Sequence, residues 1–253
     1  IKDGKIKIPT KSELFNALIM GFFLFVSGVG LVTFGQQFTF SYITSLIVAS
    51  VPLLVAFFDY ILYKKRITKT SLIGIFLGLV GIAVLFYDGS TTKFEISVGL
   101  ILIFVGIVSW SFATSISYKL RTHENTLVNS GIQMIFAGSV CSVIMLFSNY
   151  SWQPLLVNIT PMSIWSILYL TMVGSFTFNS YIYLIKNYSP QKVSSYAFVN
   201  PLVGILFGIL FGGEDIVPNL FIGLTLILTG LLFHFYGRSL FVKVLKYLKK
   251  PNN

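Results

Sequence analysis

The sequence predicts an all-α membrane protein: an inverted-repeat helical bundle with eight transmembrane helices visible, three from a first repeat and five from a second. Three observations lead there. Of the 253 residues, 55% are hydrophobic and 10% charged, and mean hydropathy is +0.84; an ordinary soluble domain is about 25% charged. The apolar residues fall into runs near the about 20 residues a helix needs to cross roughly 30 Å of hydrocarbon. Landmarks also recur at a fixed offset of 149 residues. So little polar surface excludes a water-soluble globular domain, and so little charge excludes a disordered chain.

The elements follow in order. A polar, basic lead, IKDGKIKIPTKSE, precedes the first span, Leu14–Phe34. Ile43–Tyr63 is the second, and the basic stretch YKKRITK separates it from the third, Thr70–Tyr87. Val98–Tyr118, Leu127–Phe147 and Ile164–Ile185 are the fourth to sixth. Val193–Phe211 is the seventh, and GGEDIVPN sets off the eighth, Leu220–Tyr236. Gly, Pro, Ser and Thr interrupt several spans, as is normal for helices packed on helices in lipid. Strands of about ten residues with alternating polarity, the mark of a membrane barrel, are not seen. In the tail, Leu240, Phe241, Val244, Leu245 and Leu248 share one helical face opposite lysines. That pattern predicts an amphipathic helix on the anionic inner leaflet.

Charge sets the orientation. With the N-terminal segment inside, 17 of the 18 Lys and Arg residues fall in inside segments and Lys93 alone lies outside. Basic residues concentrate on the cytoplasmic side, so the +10 net charge is a topology signal and calls for no nucleic acid. The C-terminus is expected in the cytoplasm of a multi-pass cell-membrane protein.

Under the 149-residue shift Ser45 falls on Ser194, Pro52 on Pro201, Gly74 on Gly223, Gly81 on Gly230 and Tyr87 on Tyr236. Lys65, in a basic connection, falls on Glu214, in an acidic one. The two copies thus have opposite orientations, the inverted-topology repeat of secondary transporters. The domain division is 1–89 for the first repeat, 96–237 for the second and 238–253 for the tail. Equal repeats would need two more helices before Ile1, which roughly 50–60 residues would supply.

Three stretches resemble the EamA branch of the drug/metabolite transporter superfamily. They are KVSSYAFVNPLVGILFGILFGGE over 192–214, GQQFTFSYITSLIVASVP over 35–52, and Ser109-Trp110. Gln36 and Lys65 stand where many relatives have Glu. The resemblance implies ten helices in two inverted halves and export of small metabolites such as amino acids. A carrier of nucleotide sugars or lipid-linked sugars on the same fold is the alternative.

Transporters place their substrate site near the midplane between repeats. At about 1.5 Å per residue, Trp110, Asn179 and Asn200 lie roughly 9–12 Å in from the cytoplasmic helix ends. They are the candidate cavity residues, with Tyr196 one turn before Asn200. Gln36 and Gln37 are candidates for an outer vestibule. Asp59, on a small-residue stripe inside an apolar run, is read either as an ion-coupling carboxylate or as an interfacial acid paired with a basic loop. Gly74, Gly78 and Gly81 share a face suited to close helix packing. Pro52 and Pro201 are expected to kink their helices near the cavity. Glu214 and Asp215 are read as loop or helix-end acids.

Nothing points to an enzyme: there is no paired-acid site, no HExxH, no GxSxG and no GxxxxGK[ST] loop. Cys141 is the one cysteine, and His123 and His234 have no ligand-like spacing, so no metal or other cofactor is expected. The expected partners are a small-molecule substrate and the lipid bilayer, with a homodimer left open.

Overall fold

The computed structural model describes residues 7–65, 68–85, 97–148, 159–194, 196, 199–213 and 219–248. Among the described residues every regular element is helical. The helices are α1 (Lys11–Gln36), α2 (Ser41–Tyr63), α3 (Lys69–Leu85), α4 (Val98–Ser117) and α5 (Thr126–Phe147). They continue as α6 (Pro161–Asn187), the short α7 (Pro190–Val193), α8 (Asn200–Gly212) and α9 (Leu220–Leu248). Six of them, α1, α2, α4, α5, α6 and the Leu220–Gly237 part of α9, are long and apolar enough to cross a membrane. Lys69–Val84 in α3 and Val203–Gly212 in α8 are shorter apolar helices. The protein is an all-α, multi-pass membrane protein.

Four elements differ from the hydropathy reading. α1 begins at Lys11, ahead of its apolar run, because Thr10 and Glu13 form a reciprocal capping box. The seventh span is not one helix: α7 stops at Val193 and α8 starts at Asn200. Pro201 sits in the first turn of α8, where a missing N–H is tolerated; a helix continued backwards from it would clash with the proline ring. α2 breaks in the same way at Ala49–Ser50, with Pro52 in the first turn of its second part. The eighth span runs on as a single helix to Leu248, so the basic tail continues α9. The side-chain faces of 238–248, together with Tyr87, Glu214 and Asp215, lie outside the described residues.

Glycines set the closest helix contacts. In lipid no hydrophobic drive holds helices together, so association depends on close packing. α1 lies on α4 through Gly35 and Gly99, where a Cβ on either would come within 2.7 Å of the other's carbonyl oxygen. One helical stretch away, a Cβ on Gly106 would lie 2.8 Å from the Gly28 carbonyl oxygen. α3 and α9 meet through Gly74 and Gly230, and again through Gly81 and Gly223. Around these crossings Tyr42, Leu46, Leu53, Ile103, Leu220 and Ile227 form a buried core. By contrast α6 turns Trp165, Leu170, Met172 and Phe176 outward, as a lipid-facing helix does.

Candidate functional site

Two irregularities in the helices shape the centre of the bundle. Within α1, Phe22–Val29 is wound as a π-helix, and within α6, Leu170–Gly174 is too. The 149-residue offset places the first on 171–178, so the two segments overlap under it. A π segment carries an extra residue per turn and re-aims the side chains around it. Ser109 on α4 supports the first one: its hydroxyl donates to the Phe23 carbonyl at 2.9 Å and lies 2.5 Å from the Ser27 hydroxyl.

These features surround a cavity of about 1260 Å³. The first π segment supplies Phe25, Gly28 and Val29 to its wall, and the second supplies Leu170, Val173 and Gly174. The helix breaks supply the rest of the frame. Val51 is the first residue after the α2 break and Asn200 the first after the α7–α8 break; they are offset by 149, and both line the cavity. The first turn of a helix leaves N–H groups without intrahelical partners and carries the positive end of its dipole. Both helix starts therefore lie at the cavity wall, as in transporter sites built on discontinuous helices.

The lining is aromatic and apolar with a few hydroxyls and the amide of Asn200. Trp110 and Tyr181 pack with ring centroids 5.0 Å apart. The Tyr181 hydroxyl is 2.6 Å from the Thr114 hydroxyl, and Phe25 lies 4.1 Å from Phe178 between ring centroids. The Trp110 indole N–H is buried and closes no hydrogen bond of good geometry, although the hydroxyls of Tyr181 and Tyr196 lie near it. No charged side chain is among the described lining residues.

Of the sequence candidates, Trp110, Tyr196 and Asn200 are brought together on this wall. Asn179 is not with them. It faces α5, where its side-chain carbonyl accepts from the Ser130 hydroxyl at 3.3 Å. Gln36 and Gln37 are exposed at the end of α1. Asp59 is 1% exposed near the far end of α2 and away from the cavity. Its carboxylate accepts from Lys65 Nζ at 2.7 Å and from the Ser115 hydroxyl at 2.6 Å. Lys65 also lies over the Tyr118 ring at 4.6 Å. Partial burial works against its charge, but the hydrogen bond and the charge of Asp59 outweigh it, so the ammonium is held above its ordinary pKa. Sequence reasoning missed Tyr181, Phe25 and Phe178. Their only signal was aromatic density, which the whole chain shares. Among the described residues no cluster of His, Cys, Asp and Glu could hold a metal.

Residues 1–87 and 97–236 match the EamA-like transporter family. The uncharacterized inner membrane transporter YedA of Escherichia coli K12 is 32% identical over 237 residues, covering 93% of this chain and 75% of YedA. The uncharacterized transporter YoaV of Bacillus subtilis is 23% identical over 94% of this chain and 81% of its own. A crystal structure of a protein 18% identical aligns with 87% of this chain and 75% of that one at a TM-score of 0.58. That last likeness shows the fold alone.

Proposed function

The chain belongs to the EamA-like transporter family, and from that premise we propose that it exports a small metabolite, such as an amino acid, by alternating access. The observation that carries this reading is the central cavity, framed by two broken helices and two π segments and walled by Trp110, Tyr181, Tyr196 and Asn200. Its aromatic wall suits an apolar or ring-bearing substrate body, while Asn200 and the helix ends offer polar contacts for a head group. Phosphate-bearing substrates need cationic partners. A lining without Lys or Arg therefore favours a small metabolite over a nucleotide sugar or a lipid-linked sugar.

In this reading residues 1–89 and 96–237 are inverted repeats that rock against each other. Two features support it: the helix breaks fall 149 residues apart, and the glycine contacts of α3 and α9 are reciprocal. The inside placement of the basic loops puts the C-terminus in the cytoplasm.

The test is metabolite efflux from cells expressing the complete reading frame, with and without Asn200→Ala, at matched membrane abundance. Faster loss of a small set of metabolites, reduced at least about tenfold by the substitution, is the expected result; a lost charge-assisted hydrogen bond has that scale. Efflux indifferent to Asn200 would move the substrate away from this wall. No movement of any metabolite in either direction would overturn the transport reading.

A further inference from the structure

α2 and α4 end side by side, and the residues that close them gather two tyrosines and the cations beside them. The Tyr63 and Tyr118 rings meet edge to face with centroids 5.2 Å apart. The Tyr63 hydroxyl donates to the Ser115 carbonyl at 3.3 Å, which fixes its ring. Two ammonium groups rest on this pair. Lys119 Nζ lies 4.0 Å from the Tyr63 ring centre, and Lys65 Nζ lies 4.6 Å from that of Tyr118 and 5.6 Å from that of Tyr63. Lys64 closes α2 in the left-handed conformation, at φ 50°, and the chain behind it returns Lys65 to Asp59 and to the rings.

The charges here do not balance. Asp59 is taken by Lys65. Among the described residues neither Lys64 nor Lys119 forms an ion pair, and both are exposed. A tyrosine face attracts an ammonium without neutralising it, so the cluster keeps an excess of positive charge that an anion would offset.

The surface leading up to these cations is apolar. On α4, Val105, Phe112, Ile116 and Lys119 follow at spacings of seven, four and three, so one helix face runs to Lys119. On α2, Phe57 and Ile61 are exposed on the approach to Lys64. Phe58 and Phe112 join the two helices with ring centroids 5.5 Å apart. Apolar residues, then tyrosines, then lysines is the order that matches acyl chains, interface and headgroups in a bilayer. The lysines belong to the basic connections that the charge rule places inside, and the inner leaflet carries the anionic lipids.

We propose that this surface binds one anionic glycerophospholipid of the inner leaflet, its phosphate on the Lys119 ammonium and the Lys64–Lys65 turn, and an acyl chain along the strip between α2 and α4. A zwitterionic lipid would bring its own cation to a surface already in positive excess. Lys64, Lys65 and Lys119 do not line the central cavity, and the site does not depend on the transport reading.

The experiment is native mass spectrometry and thermal unfolding of the full chain, purified in detergent and titrated with phosphatidylglycerol. Phosphatidylcholine with the same acyl chains is the first control, and inorganic phosphate is the second. Phosphatidylglycerol is expected to form a saturable one-lipid adduct and to raise the melting temperature, and both controls to do far less. Lys64→Gln with Lys119→Gln should weaken that adduct about thirtyfold, since each lysine near a membrane surface contributes about fivefold. Both side chains are exposed, so the lipid-free melting temperature should stay near wild type. Lys7→Gln with Lys11→Gln removes the same charge ahead of α1 and should leave the adduct intact. Equal binding of the two lipids would overturn the proposal. So would equal losses from the two double variants, which would reduce the attraction to diffuse surface charge. Saturable binding of inorganic phosphate as tight as that of the lipid would also overturn it, and would assign the cluster to free phosphate.

Discussion

Gly74 and Gly230 face each other backbone to backbone. A Cβ on Gly230 would lie 2.6 Å from the Gly74 carbonyl oxygen, and a Cβ on Gly74 would strike the Gly230 carbonyl in turn. Along the same crossing a Cβ on Gly81 would lie 3.0 Å from the Gly223 carbonyl oxygen. The 149-residue offset carries Gly74 to Gly223 and Gly81 to Gly230, so each pair maps onto the other. Two antiparallel helices related by a twofold axis would make such a contact, which is why it supports the inverted-repeat reading.

Gly230→Ala should therefore cost more than one methyl group ordinarily does. The added carbon meets backbone, which cannot rotate away, so α3 and α9 must separate. Overpacking of this kind costs about 1–3 kcal/mol. Gly138→Ala on α5 is the control, since nothing lies within 4 Å of its Cβ position and alanine favours the helix. Thermal unfolding in detergent should show a clear drop for Gly230→Ala and none for Gly138→Ala.

The Asp59–Lys65 pair makes a second prediction. Removing one partner of a buried pair strands the other. Lys65→Met would leave the Asp59 carboxylate buried with only Ser115, whereas Asp59→Asn leaves Lys65, whose side chain is 42% exposed, free to reach water. Lys65→Met should thus be the more destabilising single change. The double variant should recover most of the loss, giving a coupling of about 1 kcal/mol once solvent screening is allowed for. Because the Lys65 pKa is raised in the folded protein, its share of the stability is complete below the ordinary value of 10.5 and fades only as pH climbs past its folded value. The ion-coupling reading predicts something different: Asp59→Asn would abolish the dependence of efflux on an ion gradient at unchanged membrane abundance.

The spans were legible because twenty-residue apolar runs leave few alternatives, and the glycines of α3 and α9 because their spacing marks one helix face. The cavity wall was less so. Depth along a helix fixes height, and it put Trp110, Asn179 and Asn200 in one layer. It says nothing of rotation about the axis, and α6 scatters its Ser, Thr and Asn residues around the helix, so no polar stripe showed that Tyr181 would face the cavity and Asn179 would face α5. For Asn200 the arithmetic assumed an unbroken helix from Val193, which the structure does not have. The prolines marked the two broken helices, yet hydropathy carried no sign of either π segment.

Asn179 tests how much that rotation matters. Its bond to Ser130 is an interhelical hydrogen bond, of a kind that averages about 0.6 kcal/mol in membrane bundles. Asn179→Ala should lower thermal stability slightly and leave efflux close to wild type per molecule, in contrast to Asn200→Ala. An efflux loss equal to that of Asn200→Ala would mean that the transport cycle rotates α6 and brings Asn179 into the cavity.

Ser109 makes the last prediction, because it holds the π segment of α1 from outside. Ser109→Ala removes the hydroxyl that donates to the Phe23 carbonyl and contacts Ser27, while its Cβ still fits. The hydrogen bond alone contributes about 0.5–1.5 kcal/mol, so folding and membrane abundance should change little. Transport should change more. A π segment that rewinds to α shifts the register by one residue, about 100° around a helix of 3.6 residues per turn. That rotation would swing Phe25 and Gly28 off the cavity wall. Efflux per molecule is expected to fall several-fold for Ser109→Ala and to recover in Ser109→Thr, which keeps the hydroxyl. Equal efflux from both variants would mean that the π winding stands without Ser109.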